Sequence, residues 1–136
     1  MSDPELTAPA VRALVAGHAD FAAGLVSAVD LITGQGAVLE AIQVAGLCSE
    51  DIQNLLRERI RATGATVIFT DLQAGSCTMA ARRLLRDQPR VLLVSGTNLP
   101  MLLDFVMSSA PSTHDAARAA VERARSAIAA YGAPAA

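Results

Sequence analysis

The 136-residue chain contains no lysine and no tryptophan, and its eleven basic residues are all arginine. It therefore supplies no P-loop lysine, no pyridoxal phosphate Schiff base and no lysine nucleophile. Aromatic residues make up only 3% of the chain, too few for the stacking platforms that grip single-stranded nucleic acid. Two cysteines and two histidines cannot build a Cys₄ zinc site. Cys48 and Cys77 read as reduced thiols, with a pairing that spacing alone leaves open. Long apolar runs are also missing: none approaches the roughly 18–20 residues of a membrane-spanning helix, although the mean hydropathy is +0.38. Much of that value comes from alanine, which favours helix but adds little to a core. Met1-Ser2-Asp3-Pro4-Glu5 lacks the basic start of a secretory signal. Thirteen acids against eleven bases give a net charge of -2, with no basic footprint for nucleic acid or an anionic membrane. The expectation is one soluble, cytoplasmic domain over residues 1–136, with its core at about 11–131.

What is present alternates short apolar runs with longer amphipathic stretches. Val11–Ala16 reads as a strand ending at Gly17. Phe21, Leu25, Ala28, Val29 and Ile32 then line one face of a helix closed by Gly34. Val38–Ile42 is a second strand. Ser49 suits the N-cap of the next helix, with Glu50 and Asp51 in its first turn, and Ile52, Leu55, Leu56 and Ile60 form its buried stripe before Gly64. Thr66–Thr70 is the clearest strand, β-branched and aromatic. A helix from about Ser76 to Arg86 and a fourth strand, Val91–Val94, follow. Asn98-Leu99-Pro100 opens another helix, and an alanine-rich helix runs from about Thr113 to Tyr131 before a short tail. Such alternation means βαβ units. The expected fold is an α/β three-layer sandwich, a mostly parallel four-stranded sheet with helices on both faces.

In open parallel sheets ligands bind beyond the carboxyl ends of the strands. Here those ends carry Gly17-His18-Ala19-Asp20, Asp71-Leu72-Gln73-Ala74-Gly75-Ser76 and Ser95-Gly96-Thr97-Asn98. Gly75-Ser76 begins a helix, where free N–H groups favour an anion. An aspartate holding one imidazole nitrogen would leave the other as a nucleophile toward phosphorus. Helix amides and the Ser76 hydroxyl would then hold phosphoryl oxygens, with Thr97 lining the cleft. Such chemistry calls for no metal ion and no cofactor.

These segments also resemble a known family. Gly17-His18 with Phe21-Ala22-Ala23-Gly24-Leu25 is similar to the GHGxFAxGL opening of mannose-type enzyme IIA domains of the bacterial phosphoenolpyruvate-dependent sugar phosphotransferase system. Asp71 to Ser76 resembles their D-L-x-G-G-[ST]-P turn, and Val94 to Leu103 their V-I-S-G-x-N-L-P-M-L-L signature. The resemblance covers roughly residues 11–130. It implies that His18 takes phosphate from the small histidine phosphocarrier protein and passes it to a IIB component, which serves membrane IIC and IID components. It implies that Asp71 stands beside the histidine and that Ser76 contacts phosphate. It further implies a homodimer whose sheet is completed by an exchanged antiparallel strand. Four residues depart from the pattern: Ala19 and Ala74 replace glycines, Cys77 a proline and Met79 an asparagine. Each alanine puts a Cβ where glycine would be free to take positive φ.

Three functions stay open. One is a phosphohistidine carrier. Another is a regulatory IIA-like module whose phosphorylation state a partner senses without onward transfer. The third is a thiol phosphatase, because Cys77 and Arg83 have C-x₅-R spacing, although Thr78 to Arg82 favour helix and turn Arg83 away. Asp20 suits a helix cap, His114 a solvated surface position, and the arginines at 57, 59, 61, 82, 83 and 86 solvated helix faces.

Overall fold

A computed structural model describes residues 10–134; the acidic first residues and the last two of the expected tail lie outside them. Among the described residues four strands form one sheet: β1 (Ala13–Ala16), β2 (Leu39–Ile42), β3 (Val67–Thr70) and β4 (Leu92–Val94). Their order is β2-β1-β3-β4 and every pair is parallel. Five helices connect and follow them: α1 (Phe21–Thr33), α2 (Ser49–Thr63), α3 (Ser76–Leu84), α4 (Leu99–Met107) and α5 (Thr113–Ala127).

The apolar runs of the strands follow from burial on both faces. Successive side chains point to opposite sides of the sheet. Ala13 and Val15 of β1, with Val67 and Phe69 of β3, therefore pack against α1, α4 and α5. Leu14, Ala16 and Ile68 face the other way, against Ile52, Leu56 and Ile60 of α2 and Ala80, Ala81 and Leu84 of α3. Phe69 and Phe105 meet edge to face with ring centroids 5.0 Å apart, anchoring α4 to the sheet. The expected three-layer α/β sandwich is the observed one.

Local chemistry sets most element ends. Gly34 and Gly64 take left-handed φ of 71° and 77° to close α1 and α2. Asn98 caps α4 by accepting the Met101 amide at 3.0 Å.

Several expectations need correction. Asp20 occupies the N-cap of α1 but its side chain makes no capping bond. Cys48, not Ser49, precedes α2, and the Ser49 hydroxyl instead receives Arg83. Ile32 points to solvent. Arg59 is not merely solvated: it grips Glu40 of β2 with two bonds of 2.7 and 2.8 Å. His114 is half-buried, with Nε2 3.2 Å from the Thr66 carbonyl at the foot of β3. The last helix stops at Ala127, four residues early, and Ile128 is extended. Residues 128–131 are all exposed, so no burial supports another turn.

Candidate functional site

The strand order places the site. The chain leaves β1 toward β2 on one side, then crosses to β3 and β4 on the other, so a crevice opens beyond the ends of β1 and β3. Ala16 pairs with Thr70 as the last partners of these strands. Gly17-His18 and Asp71 therefore emerge side by side.

His18 and Asp71 are joined twice. The His18 amide donates to Asp71 Oδ2 at 2.8 Å, and ring Nδ1 lies 2.6 Å from the same oxygen. Asp71 Oδ1 accepts the Leu72 amide at 2.9 Å. The imidazole is 61% exposed while the carboxylate is only 9% exposed. Burial is the largest single influence on Asp71 and opposes its charge. The bonds from the His18 ring and amide, the charge on His18 and the Leu72 amide together overcome it. The carboxyl is held below its usual range and is ionised at neutral pH. An ionised carboxylate accepts only, so a neutral ring must carry its proton on Nδ1, which leaves the Nε2 lone pair free.

One small residue makes room for this pairing. A methyl group on Gly17 would lie 2.6 Å from Phe21 Cδ2 and 2.9 Å from Asp71 Cγ. Sequence reasoning treated Gly17 as a strand end and missed that it clears space for the carboxylate; the neighbour it avoids is 54 residues away. A Cβ on Gly75 would sit 3.5 Å from His18 Cε1, so the start of α3 lies against the ring. Gly75, rather than Ser76, is the N-cap, and it offers no side-chain cap. The amides of Ser76, Cys77 and Thr78 open the helix without intrahelical acceptors. Ser76 is exposed at that end.

Thr97 stands apart. It is buried, its amide donates to the Thr70 carbonyl at 3.0 Å, and its hydroxyl has no protein partner. It forms no hydrogen bond with His18 or Asp71. The turn after His18 is strained: the His18 carbonyl accepts the Phe21 amide at 3.0 Å, and Ala19 takes a φ of 47°. Ala74 does not share that strain.

Cys77 does not fit a phosphatase. Its thiol is buried, and burial first, then the charge of Asp71, raises its pKa despite a bond from Ser76. Arg83 is turned to α2, where it holds Gln53 and Ser49. Among the described residues no group of three or more His, Cys, Asp or Glu side chains is gathered as a metal ion would require. No helix among them is long and apolar enough to cross a membrane.

Comparison with known proteins places the chain in a family and agrees with its fold. The family described as the PTS system fructose IIA component matches residues 12–122. The sorbose-specific EIIA component of the PTS system from Klebsiella pneumoniae is 31% identical over 98 residues, covering 71% of this chain and 73% of that protein. The mannose/sorbose-specific IIA subunit of the phosphotransferase system from Enterococcus faecalis superposes with a TM-score of 0.77 at 18% identity, covering 93% of this chain and 98% of that one. The phosphotransferase system component EIIA from Streptococcus agalactiae gives 0.77 at 22% identity, covering 88% and 95%. At those identities the two structures speak for the fold.

Proposed function

The chain belongs to the fructose- and mannose-type IIA component family of the phosphotransferase system, and on that premise we propose that it carries a phosphoryl group on His18. The observation that carries the reading is the 2.6 Å contact of His18 Nδ1 with Asp71 beneath an exposed ring.

The donor is the histidine phosphocarrier protein. His18 Nε2 gives its lone pair to phosphorus as the donor's N–P bond breaks, and the departing imidazole keeps that electron pair. The Nδ1 proton stays on the ring, and the positive charge that develops there faces the Asp71 carboxylate. Phosphoryl oxygens are received by the free amides at the start of α3, beside Gly75, and by the Ser76 hydroxyl. The reverse step, with a IIB component as acceptor, passes the group toward membrane IIC and IID components in sugar uptake. The work is cytoplasmic.

Incubation with phosphoenolpyruvate, enzyme I and the phosphocarrier should give an acid-labile, base-stable adduct that His18→Ala abolishes. An unlabelled wild type, or an undiminished label in His18→Ala, would sink the proposal. A phosphate that is gained but never passed to IIB would identify the regulatory reading instead. Thr97→Val tests the remaining candidate: faster loss of the phosphate assigns the unpartnered hydroxyl to it, and an unchanged lifetime removes Thr97 from the site.

We further propose a homodimer with an exchanged strand. Support comes from β4, which ends the sheet among the described residues, and from the extended, exposed start of the segment after α5. Light scattering should report a dimer, and truncation after Ala127 should yield a monomer.

A further inference from the structure

Close to Asp71 in the fold, two buried threonines meet. Thr70, the last residue of β3, is fully buried, and Thr78, in the first turn of α3, is nearly so. Their hydroxyl oxygens lie 2.7 Å apart, and Thr78 Oγ1 is 2.5 Å from the Leu72 carbonyl. A carbonyl can only accept, so the Thr78 proton goes to Leu72 and Thr78 receives the Thr70 proton. The other acceptor within reach of Thr70, the Val94 carbonyl, is at 3.5 Å. Every proton is thereby used.

Leu72 is consequently pinned at both of its peptide groups. Its amide donates to Asp71 Oδ1 and its carbonyl receives Thr78. One unbroken series of hydrogen bonds runs from the imidazole through Asp71 and Leu72 to the two hydroxyls inside the fold. The segment 71–75 holds both the carboxylate and the entrance to α3, and it is otherwise a surface turn. Valines would fill the same two buried positions and remove both hydroxyls together, which for a buried pair is nearly neutral for stability; the partner they leave is the carbonyl of Leu72, an exposed residue.

We propose that Thr70 and Thr78 are positioning residues that lock the Asp71 turn, and through it the tautomer and aim of the His18 ring. Their effect on phosphoryl transfer rests on the carrier reading above; their effect on the ring does not.

The test compares wild type with Thr70→Val/Thr78→Val and with Thr78→Ser. In the double variant the phosphorylation rate at saturating phosphocarrier should fall roughly ten- to a hundredfold, as for a reacting group shifted by up to about 1 Å. Half-saturation should stay constant, because both threonines are buried, and the melting temperature should stay within about 3 °C. Ring ¹⁵N shifts at alkaline pH, where imidazoles are neutral, should show one tautomer in wild type and a mixture in the double variant. Thr78→Ser, which keeps the hydroxyl, should behave as wild type. A double variant with wild-type rate and a single tautomer would overturn the proposal, as would Thr78→Ser as impaired as the double variant. If wild type takes no phosphate, the carrier reading fails, and the ring shifts still decide whether the hydroxyls set the tautomer.

Discussion

Replacing Asp71 with asparagine conserves shape and removes charge, and its consequence can be worked out atom by atom. Three N–H groups converge on the carboxylate: the His18 amide at 2.8 Å and ring Nδ1 at 2.6 Å on Oδ2, and the Leu72 amide at 2.9 Å on Oδ1. Asparagine has one acceptor oxygen and one NH₂ group. With the oxygen toward His18, the NH₂ meets the Leu72 N–H. With the oxygen toward Leu72, the NH₂ meets the His18 amide and ring. The ring tolerates that second arrangement only by moving its proton to Nε2, which takes the lone pair from the atom that faces solvent. At least one charge-assisted hydrogen bond is lost either way, worth about 1.5–3 kcal/mol. The carboxylate is only 9% exposed, so screening spares most of that loss. At 1.36 kcal/mol per factor of ten, Asp71→Asn should take up phosphate about ten- to a hundredfold more slowly. The assay is rapid-quench transfer from labelled phosphocarrier at saturating concentration, with a thermal melt to confirm the fold. A rate within twofold of wild type would refute the orientation argument.

Three other outcomes are expected. Gly17→Ala drives a methyl group into Phe21 and Asp71; it should cost about 1–3 kcal/mol in denaturant titrations and slow phosphorylation. Ala19→Gly relieves a left-handed residue, a gain of about 1–2 kcal/mol offset by about 0.4–1 kcal/mol of unfolded-chain entropy. Stability should therefore rise by roughly 0.5–1 kcal/mol, and a fall would show that the turn is not strained. Because the Asp71 carboxyl is held low, the unfolded chain binds its proton more readily. Its contribution is complete well above the ordinary carboxylate pKa near 3.9 and is lost as pH falls through the lower folded value. The stability gap between wild type and Asp71→Asn should be constant near neutrality and narrow in acid. A gap that widens in acid would reverse the sign.

The strands, the helix order and the gathering of His18, Asp71 and Gly75 were legible because each depends on local pattern or on the rule for strand ends. Other side-chain pairings, near or far in sequence, were not. Arg59 looked like any of six solvated helix arginines until β2 placed Glu40 beside it. His114 looked like surface because nothing nearby in the chain announces the Thr66 carbonyl. Thr70 and Thr78 read as an ordinary β-branched strand end and a helix residue. Two hydroxyls in a sequence do not disclose that they will face each other. The end of α5 was overrun because alanine continues a helical pattern whether or not there is anything to bury.

The register of β1 beside β3 has a bearing on how this protein is made. His18 emerges from the ribosome long before Asp71, and the carboxylate that holds the ring belongs to a residue 53 positions later. A nascent chain that ends before β3 has an imidazole like that of any free peptide. The orientation of the ring is a by-product of pairing β1 with β3, so on the carrier reading proposed above only a chain that has made that pair is ready to take phosphate.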